Sequence, residues 1–234
     1  MFQVKNLSFK KNRISILEPL NFSIPSPGMC AVIGLNGSGK TTLLKILSCI
    51  LPATSGRILY QEKQLGPNKL NPKKIGWTPA STHLPFDYSV EDILLMSRYP
   101  WHHGYEKKED YQKVTQALGE LEIEHKKKHL FSHLSSGYQK LTLISRLLAG
   151  DYETLIFDEP TAHLDLYMSQ KVFSILKKRS LEQTVIIADH NLSLVKKYCD
   201  WFVVIHEKKV KVFGDSTKIW SKKTLQEVFH LENL

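Results

Sequence analysis

At 234 residues, 42% of them hydrophobic and 24% charged, the chain has room for one large α/β domain, or a core plus a small subdomain. No stretch of about 18 apolar residues occurs and the opening Met1-Phe2-Gln3-Val4-Lys5-Asn6 has no signal-peptide pattern, so the sequence predicts neither a membrane span nor a leader. The net charge of +9 permits contact with nucleic acid, an anionic membrane surface or nucleotide without choosing among them.

Residues 2–24 alternate between apolar and polar (Phe2, Val4, Leu7, Phe9, then Leu20, Phe22, Ile24), which predicts two or three antiparallel strands. Pro25-Ser26-Pro27-Gly28 is a turn. Met29–Ile33 reads as a short buried strand. It feeds Gly34-Leu35-Asn36-Gly37-Ser38-Gly39-Lys40-Thr41-Thr42, which fits the phosphate-loop pattern G-x-x-x-x-G-K-[ST]. Glycines let successive N–H groups turn inward on an anion, and the helix that follows, marked by Leu43, Leu44, Ile46 and Leu47, points its positive end at the same place. Lys40 is placed to reach the outer phosphates and Thr41 to put its hydroxyl on Mg²⁺. A Gly-Ser linker would lack this strand–loop–helix frame.

Gly56–Tyr60 and Lys74–Thr78 read as further strands. From about residue 89 to 149 the spacing becomes helical, with Ser89-Val90-Glu91-Asp92 as a capping box and helices through Tyr111–Leu121 and Gln139–Leu148. The basic runs Glu124–His129 and Glu207–Lys209 read as solvated loops. Thr154–Phe157, Val185–Ala188 and Trp201–Ile205 then alternate with helices, which implies a parallel sheet. The three scattered cysteines, Cys30, Cys49 and Cys199, are expected to be buried fillers in a reducing compartment.

Four later segments bear on the phosphate loop. The apolar run Thr154–Phe157 ends in Asp158-Glu159, at the sheet edge where ligands bind in α/β folds. Asp158 there suits Mg²⁺, and Glu159 suits a general base for water. Ser135, in Leu134-Ser135-Ser136-Gly137-Tyr138-Gln139, is an N-cap at a helix start, either an ordinary cap or an anion site. His190 follows a strand, either as a phosphate partner or as a structural polar residue. Thr161–Asp165 is by itself a turn into a helix.

Together and in this order, these elements resemble the ATP-binding cassette (ABC) ATPases over nearly the whole chain. The resemblance implies one domain spanning 1–234. Its fold class would be α/β: a P-loop NTPase core with a parallel sheet, an N-terminal antiparallel β subdomain and a helical subdomain over about 81–150. Gly34–Thr42 would bind ATP, with Thr41 and Asp158 on Mg²⁺ and Lys40, Glu159 and His190 in catalysis. Leu134–Gln139 looks like the family's signature, so Ser135, Ser136 and Gly137 would complete the nucleotide site of a second copy in a sandwich dimer. Thr161–Asp165 looks like its dimer-contact loop.

Several positions depart from the family pattern. The signature usually reads Leu-Ser-Gly-Gly-Gln, against Ser136 and Tyr138 here. A Gln usually follows Pro where this chain has Pro79-Ala80. The ring that stacks on adenine is replaced by Lys11, with Phe9 nearby as a substitute or a core residue. Phe86–Asp92, Ser97-Arg98-Tyr99-Pro100 and His163 resemble importers of iron–siderophores, haem or cobalamin. That implies a peripheral subunit on the cytoplasmic face of the cell membrane. Its expected partners are polytopic permease subunits and a substrate-binding protein rather than nucleic acid. Residues 81–105 would line the groove for the permease's coupling helix. The alternatives are a non-transport cassette acting on nucleic acid or ribosomes, which usually has two cassettes or long coiled coils, and a small-molecule kinase, which leaves Leu134–Gln139 unexplained.

Overall fold

A computed structural model of the chain describes residues 1–66, 71, 73–82, 84, 86–220 and 227–229. His83 and Pro85, in the stretch predicted to seat a coupling helix, and most of the tail beyond 220 lie outside the described residues. In chain order the strands and helices are β1 (Phe2–Lys11), β2 (Ile14–Ile24), β3 (Gly28–Ile33), α1 (Lys40–Leu47), β4 (Ser55–Tyr60), β5 (Lys63–Leu65), β6 (Ile75–Thr78), α2 (Val90–His102), α3 (Lys108–Glu120), α4 (Ser136–Leu148), β7 (Thr154–Asp158), α5 (Leu166–Arg179), β8 (Thr184–Ala188), α6 (Leu192–Tyr198), β9 (Trp201–His206), β10 (Lys209–Gly214) and α7 (Ser216–Ile219).

The strands form two sheets. An antiparallel sheet has the order β2-β1-β4-β5, and a six-stranded sheet has the order β10-β9-β3-β8-β7-β6. In the second, β6, β7, β8, β3 and β9 run parallel and β10 closes the edge antiparallel. The α/β class and the antiparallel and helical subdomains expected from the sequence are therefore present. The period of two along β3 divides the core. Cys30 and Val32 face a cluster with α1 and the antiparallel sheet, and Met29, Ala31 and Ile33 face a second cluster with the helices. With both faces covered, the parallel strands are apolar throughout, as buried parallel strands are.

Residues 2–24 form two long strands, and register shifts along β1 explain why the alternation was hard to divide. The capping box at Ser89 is present: Asp92 N–H donates to Ser89 Oγ at 3.2 Å and Ser89 N–H to Asp92 Oδ2 at 3.0 Å. Helix α3 starts at Lys108, before the predicted Tyr111, because Asp110 accepts from the Lys107 N–H at 2.9 Å and so caps an exposed, charged first turn. The run 124–129 is not simply solvated. Lys127 and Lys128 both pair with Glu91 of α2, and Lys126 lies 5.0 Å from the Tyr138 ring centre. Lys208, in the second run, accepts from the Glu18 N–H through its carbonyl. All three cysteines are buried and unpaired.

Candidate functional site

Strand β3 runs straight into the phosphate loop, and α1 opens at its far end. Gly39, the residue before α1, has φ +104°, and a Cβ there would lie 2.5 Å from Leu17 Cδ2. Only glycine meets both conditions without strain. The helix has no side-chain cap, so its first N–H groups lack intrahelical partners and face outward with the positive end of the dipole. Lys40 curls back over the loop, its Nζ donating to the carbonyls of Gly34 (2.9 Å) and Leu35 (3.0 Å). Burial pushes its amine below the ordinary lysine value, while the Glu159 and Asp158 charges pull it back. Ser38 Oγ is buried with no hydrogen-bond partner among the described residues. Orphan N–H donors, a buried lysine and an unpaired hydroxyl fit a bound polyphosphate. The loop opens on a cavity of about 550 Å³ lined by Asn36, Gly37, Gly39, Lys40, Thr41, Thr42, Glu159 and His190, with Ile16 from β2.

Asp158 ends β7 and is 2% exposed. Burial raises its carboxyl above the usual range and the Glu159 charge adds to this. A hydrogen bond from Thr41 and the charges of Lys140 and Lys40 oppose it. Thr41 and Asp158 thus meet, as predicted for a shared cation. Among the described residues no group of three or more His, Cys, Asp or Glu could hold a metal alone. Two hard oxygen donors with room for phosphate oxygens and water suit Mg²⁺, which rarely uses an all-protein cage. Glu159 follows in the left-handed region at φ +49°, its N–H donating to the Ala188 carbonyl at 2.7 Å. Its Oε1 lies 2.9 Å from His190 Nε2, so the residue expected as base and the histidine expected beside it in catalysis are in direct contact.

Sequence reasoning did not assign Asp189 a role. Its carboxylate accepts from the Thr161 N–H (3.1 Å), the Thr161 hydroxyl (2.7 Å) and the Asn191 N–H (2.8 Å). It therefore pins the loops carrying Glu159 and His190 to one another. The signal was its place between a strand and His190-Asn191, where an Asx turn forms. Ile16 was also missed. The residues weighed for adenine stacking divide differently: Phe9 packs against the core beside α1 and Lys11 is exposed.

Ser135, Ser136 and Gly137 lie elsewhere. Ser135 stands at the N-cap of α4 but its side chain makes no cap hydrogen bond, so the capping expected of it is positional only. Ser135 and Gly137 line a different cavity of about 300 Å³, with Tyr138, His163 and Asp165. None of its lining residues is shared with the phosphate-loop cavity.

The ABC transporter family model matches residues 17–162, from β2 through the Asp158-Glu159 edge. The molybdate import ATP-binding protein MolC of Haemophilus influenzae is 34% identical over 97% of this chain and 87% of its own length. The petrobactin import ATP-binding protein YclP of Bacillus subtilis is 25% identical over 99% of this chain and 93% of its own. A solved transporter assigned to the metal-chelate ABC type, in an inward-facing conformation, superposes with a TM-score of 0.83 at 32% identity, covering 99% of this chain and 89% of that one. With a phosphate loop, an acidic strand end and a signature segment in this arrangement, the chain belongs to the ABC transporter family and is its ATP-binding, ATP-hydrolysing subunit.

Proposed function

We propose that the chain powers uptake of a metal chelate of the iron–siderophore, haem or cobalamin kind, as the ATPase of an importer. It would sit peripherally on the cytoplasmic face of the cell membrane with separate permease subunits and a substrate-binding protein. The observation that carries the docking is a set of exposed large apolar side chains in and beside α2. Phe86, Met96, Tyr99 and Tyr105 are all solvent-exposed there, and large apolar side chains left exposed within one short stretch are what a protein partner would cover. Support for import comes from the names of the relatives, which handle molybdate and petrobactin, and from the metal-chelate type of the matched structure.

In the reading proposed for the site, Gly34–Thr42 cradles the phosphates of ATP and Lys40 turns from its loop carbonyls to the γ-phosphate. Thr41 and Asp158 would hold Mg²⁺, which would supply positive charge to offset that developing on the phosphates. Glu159 takes the proton of the attacking water, and His190 holds Glu159 in place. Ser135, Ser136 and Gly137 close over the phosphates bound to a second copy. Ser135 and Gly137 line a cavity that shares no lining residue with the phosphate-loop cavity of the same chain, which supports this sandwich.

The test is co-expression with candidate permeases and purification from membranes. A stable complex whose ATPase rises with a chelate-loaded binding protein is expected. Co-purification with ribosomes or salt-sensitive RNA binding, without any polytopic partner, would refute the transporter assignment.

A further inference from the structure

Helix α4 starts with Ser136 and Gly137 and, one turn on, buries a lysine. Lys140 is 3% exposed. Its Nζ donates to the carbonyl oxygen of Ala80, in the segment leaving β6. Among the described residues this is its one hydrogen bond, and no carboxylate pairs with it within salt-bridge distance. An ammonium has three donors, so two are left for something else. Strand β6 runs parallel to β7 with Thr78 beside Phe157, so the Ala80 carbonyl that holds the ammonium leaves the sheet at the strand ends carrying Asp158 and Glu159. Burial lowers the ammonium below the ordinary lysine value, and the charges of Glu159, Asp158 and Asp189 pull it back. Further along α4, Arg146 Nη2 donates to the Trp77 carbonyl at 3.2 Å. Two cations of one helix thus grip both ends of Trp77–Ala80, a stretch whose last residue has no polar side chain.

A buried ammonium without a paired carboxylate costs stability, and a methionine of similar length would fill the space without that cost. The charge is therefore poorly explained by packing. It is explained if the charge serves the carboxylates across the site. We propose that Lys140 is a positioning residue for hydrolysis, tying α4 to the backbone at Ala80 and presenting its ammonium to the edge formed by Asp158, Glu159 and Asp189. A shift of the helical subdomain would then move a positive charge relative to the site, and the setting of α4 would be felt where water attacks. This rests on the roles given above to Asp158 and Glu159, and it adds a residue that the motifs do not contain.

The test compares wild type, Lys140→Met and Lys140→Arg in the full-length chain. Three quantities are read: thermal midpoint, affinity for a fluorescent ATP analogue with Mg²⁺, and kcat and KM for phosphate release. Lys140→Met is expected to melt no lower than wild type and to bind the analogue within about threefold. Its kcat should fall about a hundredfold, the scale of a mispositioned site, at little-changed KM. Lys140→Arg, which keeps the charge and the donors, is expected to recover most of that loss. Three results would overturn the proposal: a folded Lys140→Met with wild-type kcat, a Lys140→Met that unfolds, or equal impairment of both variants with affinity falling in step. A wild-type chain without Mg²⁺-dependent phosphate release would instead remove the reading of Asp158 and Glu159, and so separates the two failures.

Discussion

Glu159→Gln removes a base while keeping a shape, and the structure says how its effects divide. If Glu159 accepts the proton of the attacking water, its loss costs about 10²–10⁴ in kcat, or about 3–5 kcal/mol on the barrier. The effect on folding is far smaller. The Glu159–His190 contact joins side chains 34% and 47% exposed, an ion pair of at most about 1 kcal/mol at such exposure. For a chain of this length that moves the melting midpoint by about 2–4 °C at most. The left-handed backbone at φ +49° is set by the Glu159 N–H bond to Ala188, and glutamine leaves that bond in place. Nucleotide affinity should hold, because Lys40, Thr41 and the loop are untouched. Bound ATP that is not consumed should also hold two copies together. Single-turnover phosphate release, titration of a fluorescent ATP analogue and sizing with and without ATP read these effects separately. Release within tenfold of wild type, at unchanged nucleotide affinity, would refute the assignment of the base.

Gly37 has φ +75° and nothing within 4 Å of an added Cβ, so Gly37→Ala should cost only the backbone term, about 1–2 kcal/mol by thermal melting. Its ATP affinity should fall at least tenfold, because the new methyl enters space the phosphates need; unchanged affinity would place the nucleotide elsewhere. Burial holds the Asp158 carboxyl above the usual range, with Glu159 adding to it, so protonation competes with Mg²⁺ at a higher pH than for an ordinary carboxylate. Affinity for Mg²⁺–ATP should therefore drop on acidification starting above that range. In metal-free protein the same group binds its proton more tightly folded than unfolded, so its contribution to stability rises as pH falls through that window; Asp158→Asn should flatten both profiles. Arg98 and Asp110 form an ion pair with both side chains 3% exposed, and Asp110→Asn should cost about 3 kcal/mol, or about 6–12 °C in melting midpoint. Burial would raise the Asp110 carboxyl, but hydrogen bonds from the Lys107 N–H and Arg98 outweigh it and hold it low. That stability is present above the unfolded value and lost as pH falls through the folded one, an acid sensitivity that Asp110→Asn should lack.

The sheet was legible where burial on two faces left continuous apolar runs, as in Thr154–Phe157 and Val185–Ala188, because period and polarity then need no tertiary context. Legibility failed where local hydrogen bonding set the boundary. The first turn of α3 is charged, and its buried positions are sparse: Asp110, Val114, Ala117 and Leu118. Apolar periodicity therefore begins after the helix does. In β1 the register shifts between Val4 and Lys10 move side chains from one face to the other, and a simple alternation count cannot follow that.

The site divides in the same way. Gly34–Thr42 and Asp158-Glu159 could be read from sequence because their work is done by backbone conformation and by neighbours in the chain. Asp189 and Lys140 do theirs across 28 and 60 residues, to Thr161 and Ala80, and neither distance leaves a local pattern. For Lys140 a weaker signal did exist. Helix α4 carries Leu141, Leu143, Ile144, Leu147 and Leu148, with Thr142 and Ser145 between them. Apolar and small residues thus fall on nearly every face, and a helix of that kind is buried all round. A lysine among them has no solvent face to occupy. Its ammonium must be answered by groups from elsewhere in the fold, and the Ala80 carbonyl that accepts from it follows β6, the strand paired in parallel with β7 and its acidic end. The residue least visible as a motif is in that sense constrained by the helix around it, and the constraint points to the same carboxylates that the motifs identify.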